Sequence, residues 1–186
     1  MTKLIGISGS LRRGSFNTAL LRAAATLLPG EASLEIRTLH GIPLYDADLE
    51  AAEGLPASVS ALKEAVVAAD GVLLVTPEYN NGIPGVFKNA IDGLSRPAAD
   101  IPRVFGGKAI ALMGTSPGGF GTILSQAAGL PVLRTLGTSP WFGGRLMVSR
   151  ANDVFDAALA IKDAAMQERV RLFLAGFVDA VRRSQR

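Results

Sequence analysis

The chain has no cysteine among its 186 residues. Disulfide bonds and thiolate chemistry are therefore excluded. Histidine is nearly absent as well. His40 stands alone, so a Cys/His zinc site has no ligand set to draw on. A Ser-His-Asp hydrolase would have to use that one imidazole. It lies in "TLHGIPLYD", just after an expected strand, and reads as an ordinary loop residue. No apolar run comes near the ~20 residues that a membrane-crossing helix needs. The opening "MTKLIGISGS" has one lysine and a very short apolar stretch before a Gly/Ser turn, unlike a secretory leader. A cytoplasmic protein with no membrane partner is the expectation. Charge is not concentrated either. The net charge is +3 and the sequence pI about 9.6, yet only Arg12-Arg13 and the final "VRRSQR" group basic residues. The latter reads as a solvated helix end whose cations suit the helix dipole. No aromatic-basic pattern supports nucleic acid as a partner.

What is present is an ordinary globular composition, 48% apolar with 21 glycines and 10 prolines, in a length that fits one domain spanning 1–186. Short apolar stretches alternate with longer helical ones. Strands are expected at 3–8, 33–39, 71–76, 107–114 and 143–149. Helices are expected at 17–28, 56–69, 84–94 and 122–137, the last bent or interrupted by Pro131. Residues 152–183 read as one long helix or two joined ones, capped by Asn152 or Asp153. The stretch 97–106, "PAADIPRVFG", reads as a mobile surface loop. Strands separated by helices pair in parallel through right-handed crossovers. The fold class is α/β, a flavodoxin-like three-layer sandwich on a five-stranded parallel sheet of order 2-1-3-4-5.

In such a sheet a ligand sits beyond the carboxyl ends of the strands, near the switch point between strands 1 and 3. The loops after strands 1, 3 and 4 meet there. They are "GSLRRGSFNT" (9–18), "PEYNNGIPG" (77–85) and "TSPGGFGT" (115–122), the most unusual stretches in the chain. The first sets Ser10, Ser15, Asn17 and Thr18 around two glycines and opens a helix, with Arg12 alongside. Hydroxyls, an amide and free N–H groups at a helix start make an anion site. Capping by Ser15 explains one of these residues but not four. No G-x-x-x-x-G-K-[ST] is present, "GISGSLRRGS" is not G-x-G-x-x-G, and "GISGS" is not a G-x-S-x-G elbow. A terminal phosphate monoester, as on a mononucleotide, suits what remains. In the third loop Gly118, Gly119 and Gly121 suit close approach to a flat ligand, although a tight turn would explain one or two of them. In the second, Tyr79 is placed to flank a planar ring, and the backbone of Glu78, Tyr79 and Asn80 to meet its polar rim. Glu78 reads alternatively as a solvated acid or a subunit contact.

"GSLRRGSFN", "PLYDADLE", "PEYNNGIPGVFKNAID" and "SP" followed by glycines occur together and in order. The chain thus resembles the NADPH-dependent FMN reductase family, and within it is most similar to the bacterial quinone and chromate reductases, over about residues 3–150. The resemblance implies noncovalent FMN, with its phosphate on Ser10, Arg12, Ser15, Phe16, Asn17 and Thr18. It implies that Pro77, Glu78, Tyr79, Asn80 and Asn81 line the isoalloxazine. It implies that Ser116, Pro117, Gly118, Gly119 and Phe120 approach the pyrimidine end. It implies NADPH or NADH as electron donor and quinones, azo dyes, nitro compounds, chromate or free flavin as acceptors. The flavin carries the hydride, so no side chain takes a catalytic role. A homo-oligomer, dimer or tetramer, is implied too, and helices 84–94 and 122–136 are apolar around more of their circumference than one sheet face requires. Arg13 and Arg96 read as surface arginines, although either would suit a 2′-phosphate. Two positions depart from the pattern: Gly82 and Gly93 stand where these reductases often have Ser and Trp. The rival reading is a flavodoxin-like electron carrier without pyridine-nucleotide turnover, against which the basic pI counts.

Overall fold

A computed structural model describes residues 1–185. The sheet starts from β1 (Thr2–Ser8), whose apolar side chains alternate between the two faces. Leu4 belongs to one buried cluster, Ile5 and Ile7 to the other. Helix α1 (Phe16–Thr26) follows and buries Leu20 and Leu21 completely, each worth about 1.5–3 kcal/mol. Then come β2 (Ala32–Thr38), α2 (Ala47–Glu53), α3 (Ala57–Ala68) and β3 (Gly71–Val75). Every residue of β3 is buried, as a central strand covered on both faces must be. The chain continues through α4 (Gly85–Leu94), a short α5 (Ile101–Val104), β4 (Ala109–Thr115) and α6 (Ile123–Thr135). It ends with β5 (Ser139–Pro140), β6 (Leu146–Val148), α7 (Ala151–Val154) and α8 (Ala164–Ser184).

The sheet is parallel throughout, in the order β2-β1-β3-β4-β5, with β6 also paired to β4. Helices α1 and α8 cover one face through Leu20, Leu21, Phe173, Leu174 and Phe177. Helices α3, α4 and α6 cover the other through Leu62, Val66, Phe87, Ile91 and Leu133. This is the flavodoxin-like three-layer arrangement expected from the sequence. No helix among the described residues is long and apolar enough to cross a membrane.

Five details differ from the expectation. The fifth sheet position is not one strand at 143–149 but the two short pieces β5 and β6. Between them Trp141 turns in against Phe173 and Phe177, and a Cβ on Gly143 would lie 2.6 Å from its ring. The C-terminal helix does not begin at Asn152 or Asp153. Those residues lie in α7, and α8 is capped by Asp163, whose carboxylate accepts from the N–H groups of Ala165 and Met166. The break is set by Asp156, whose side chain accepts from the N–H groups of Ala158 and Ala160. Residues 97–106 are a 3₁₀ turn (Ala98–Asp100) and α5 instead of a free loop. Lys63, 2% exposed, reaches from α3 to the carbonyl of Arg96 and to Asp100, 2.9 Å away. Helix α2 was not expected at all. It is one short segment capped by Asp46, too brief to show a period. Helix α6 runs through Pro131 without interruption.

Candidate active site

Strands β1, β3 and β4 end side by side, with Ser8 beside Val75 and Val75 beside Met113. Their loops therefore leave the sheet at one edge. The loop from β1 is fixed first by Gly9, whose N–H donates to the Val75 carbonyl at 2.8 Å. A Cβ there would stand 2.6 Å from the Phe87 ring and 3.0 Å from Pro77, so only glycine allows these loops to approach so closely. Ser15 caps α1, its hydroxyl accepting from the Thr18 N–H at 3.3 Å. The Thr18 hydroxyl is paired with Ser8 at 2.8 Å. Asn17 is buried and clasps the end of β4. Its amide donates to the Thr115 carbonyl at 2.8 Å and accepts from the Thr115 N–H at 2.9 Å. What Asn17 leaves for a ligand is therefore its backbone. The N–H groups of Phe16 and Asn17, in the first turn of α1, find no acceptor among the described residues. Ser10 is buried, and Arg12 and Arg13 are exposed beside it.

The second loop is a hairpin turn. Tyr79 and Gly82 exchange backbone hydrogen bonds of 3.2 and 3.0 Å. Asn80 and Asn81 between them have φ of 50° and 61°. Two left-handed residues in sequence make a type I′ turn, which asparagine tolerates better than most residues. The two asparagines are thus explained by the backbone, and Tyr79 is presented to solvent with 53% exposure. Glu78 turns the other way. One carboxylate oxygen accepts from the N–H groups of Leu124 and Ser125, at 2.9 and 3.0 Å, in the first turn of α6. Thr122 makes no side-chain cap there, so a residue from the neighbouring loop caps the helix.

The third loop is tied down by its own hydroxyl and by the segment after β6. The Ser116 hydroxyl donates to the Gly121 carbonyl at 2.5 Å. The N–H groups of Arg150 and Ala151 donate to the carbonyls of Gly118 and Ser116, both at 3.0 Å. Gly121, with φ 63°, is required by the backbone. Gly118 and Gly119 are not. A Cβ on Gly119 would meet nothing within 4 Å, and one on Gly118 only the Ser116 hydroxyl at 3.8 Å. The space in front of them is open, Pro117 stands exposed beside them, and Phe120 is 82% exposed at its rim. Arg96 is engaged elsewhere, 3.3 Å from Glu50 and over the Tyr45 ring.

These features fit a phosphorylated flavin. Free helix-start N–H groups without a nearby carboxylate suit the phosphate, and bare glycine backbone and an exposed tyrosine, on loops from neighbouring strands, suit the ring. Sequence reasoning missed three participants: Thr115 as the target of Asn17, Arg150 as an anchor of the third loop, and His40, whose ring reaches the Leu11 carbonyl. Only His40 had a usable signal, since a 2-1-3 order places the end of β2 beside the first loop.

The sequence pattern that defines the NADPH-dependent FMN reductases matches residues 2–153. An NAD(P)H-dependent FMN reductase of Pseudomonas aeruginosa is 41% identical over 181 residues, covering 97% of this chain and 96% of that one. A 2-hydroxy-1,4-benzoquinone reductase of a Burkholderia species is 44% identical over 125 residues, 67% of this chain and 66% of its own length. Among solved structures, a flavoenzyme NAD(P)H:(acceptor) oxidoreductase from Paracoccus denitrificans superposes with a TM-score of 0.86 at 33% identity, covering 99% of both chains. Sequence pattern, full-length relatives and fold agree, and the chain belongs to the NADPH-dependent FMN reductase family.

Proposed function

We propose that this chain is a single FMN-binding domain that oxidises NAD(P)H and delivers two electrons to quinones, with azo, nitro, chromate and free-flavin acceptors as further substrates of the same open site. The observation that carries the reading is the convergence of three loops on one sheet edge, with unpaired N–H groups at the start of α1 on the first loop and bare backbone at Gly118 and Gly119 on the third. The quinone preference is supported by the quinone reductases among the relatives.

Bound FMN would supply the two-electron redox chemistry between nicotinamide and acceptor. The protein's part is to bind, orient and expose. Ser10, Ser15 and the N–H groups of Phe16 and Asn17 hold the phosphate, and Arg12 adds charge. Pro77 to Asn81 would line the ring, with exposed Tyr79 available to flank it. The N–H groups of Gly118 and Gly119 favour negative charge on the pyrimidine end. No side chain exchanges a proton in this scheme.

A homo-oligomer belongs to the proposal. Helix α6 exposes Ile123, Leu124, Ala127, Ala128 and Pro131, an apolar solvent-facing stripe bounded by exposed Arg134 and Arg145, and Phe142 lies 72% exposed beside it. A second copy would cover that stripe as a dimer or tetramer. A cytoplasmic setting, where the NAD(P)H pool lies, completes the reading.

The test is an absorption spectrum of the purified protein before and after anaerobic NADPH. Bands near ~450 nm that bleach are expected. Flavin that bleaches with neither NADPH nor NADH would make the protein an electron carrier. A chain that neither carries nor takes up FMN would refute the reading.

A further inference from the structure

We infer that His40 is a positioning residue for the phosphate loop. It locks the peptide plane between Leu11 and Arg12 with the carbonyl turned outward and the N–H inward. The inference rests on the flavin reading above.

The geometry is simple. Thr38 pairs in register with Ser8, so the chain two residues beyond Thr38 lies beside the loop that leaves Ser8. There the His40 Nε2 stands 3.1 Å from the Leu11 carbonyl oxygen. A carbonyl only accepts, so Nε2 carries the proton. Nδ1, 3.2 Å from the Thr38 hydroxyl, then accepts from it. Among the described residues, no other side chain from outside the loop hydrogen-bonds residues 10–14. On the other side of the same peptide, the Arg12 N–H donates to the buried Ser10 hydroxyl at 3.3 Å. The carbonyl and N–H of a trans peptide point in opposite directions. One plane is therefore held at both ends, by His40 outside and Ser10 inside.

The consequence is electrostatic. Rotation of this plane would turn the negative end of the Leu11 carbonyl to the Ser10 side, the side that the flavin reading gives to the phosphate beside the N–H groups of Phe16 and Asn17. It would repel a phosphate where those groups attract one. His40 thus acts at a distance from the ligand by keeping an unfavourable dipole out of the anion site.

The test uses the two amide replacements of histidine. Glutamine places an N–H where Nε2 was; asparagine mimics only Nδ1. Flavin-free wild type, His40→Gln, His40→Asn and His40→Ala are titrated with FMN by fluorescence quenching. The Ala and Asn variants are expected to bind about 3–10-fold more weakly, the scale of one hydrogen bond. The Gln variant should stay within about twofold of wild type. His40 is exposed, so all four should unfold at the same temperature. The Arg12 amide resonance of the flavin-free protein should move in Ala and Asn and return in Gln. Equal FMN affinity in wild type and His40→Ala overturns the inference. So does an Arg12 amide that stays put in His40→Ala, whatever FMN does. A wild type that takes up no FMN overturns the flavin reading and the phosphate role together, and the amide shift alone then judges the lock.

Discussion

The first and third loops perform the same structural task and are held by opposite means. Each carries the chain from a sheet strand into a helix at one edge. Helix α1 is capped from within, by Ser15 on the Thr18 N–H. Helix α6 is capped from outside, by Glu78 of the neighbouring loop. The start of α1 is capped by local chemistry, while the start of α6 waits for the second loop to arrive. Loop 97–106 is a more extreme case of borrowed order, pinned by the buried ammonium of Lys63 reaching from α3.

The strongest way to break the comparison is Asn17→Ala, because that side chain joins the first loop to β4. Removing it leaves the Thr115 N–H and carbonyl without partners at a buried position, at about 2–4 kcal/mol. Urea unfolding should show that loss, together with loss of FMN uptake. A cost under about 0.5 kcal/mol would mean the clasp is dispensable.

Lys63→Met comes next, at about 1–3 kcal/mol, since the Arg96 carbonyl loses its donor. Amide exchange in 96–104 should quicken while the first loop stays unchanged. Acid should mimic this locally. The Asp100 carboxyl is held below its usual range, chiefly by the hydrogen bond from Lys63. A depressed carboxyl stabilises the fold above its ordinary value, and that contribution fades as pH falls through the folded one. Protection of 96–104 should therefore fall on acidification below the ordinary carboxylate range, and less so in Lys63→Met.

The two caps test the contrast directly. Ser15→Ala should cost about 1 kcal/mol, confined to the start of α1. Glu78→Ala should cost about as much, but amide exchange should report it in both the second and third loops. If Glu78→Ala disturbs only its own loop, the cross-loop cap is not what orders α6.

This contrast also explains what could be read from the sequence. The strands, the helices and the three loops follow from patterning, because period and turn chemistry are local, while the strand order follows from the doubly wound fold that such alternating units suit. Ser15 as a cap was legible for that reason. Glu78 was not, since nothing near it in the chain says that its carboxylate meets the N–H groups of Leu124 and Ser125. The split of the fifth strand escaped for the same cause. Residues 143–149 look like a strand, but Trp141 docks on Phe173 and Phe177 of a helix still to come. The Asn80-Asn81 turn is visible in the sequence as polar excess, and the left-handed backbone gives a second reason for two asparagines beside the ligand contact expected of them.

The smallest effect on stability is the most informative about the ligand. Gly121→Ala must strain a residue at φ 63° with Met147 backbone 3.0 Å from the new methyl, and about 1–2 kcal/mol should be lost. Gly118→Ala meets only a hydroxyl at 3.8 Å, so unfolding should shift by less than about 0.5 kcal/mol. Two glycines three residues apart would then separate what the fold needs from what a ligand needs. If the bare backbone at Gly118 faces the flavin, the methyl that the protein ignores will weaken FMN, by about tenfold for a contact of ~1.4 kcal/mol. If FMN binds Gly118→Ala as it binds wild type, the third loop approaches the ring elsewhere, and Gly119, with nothing within 4 Å, becomes the position to probe.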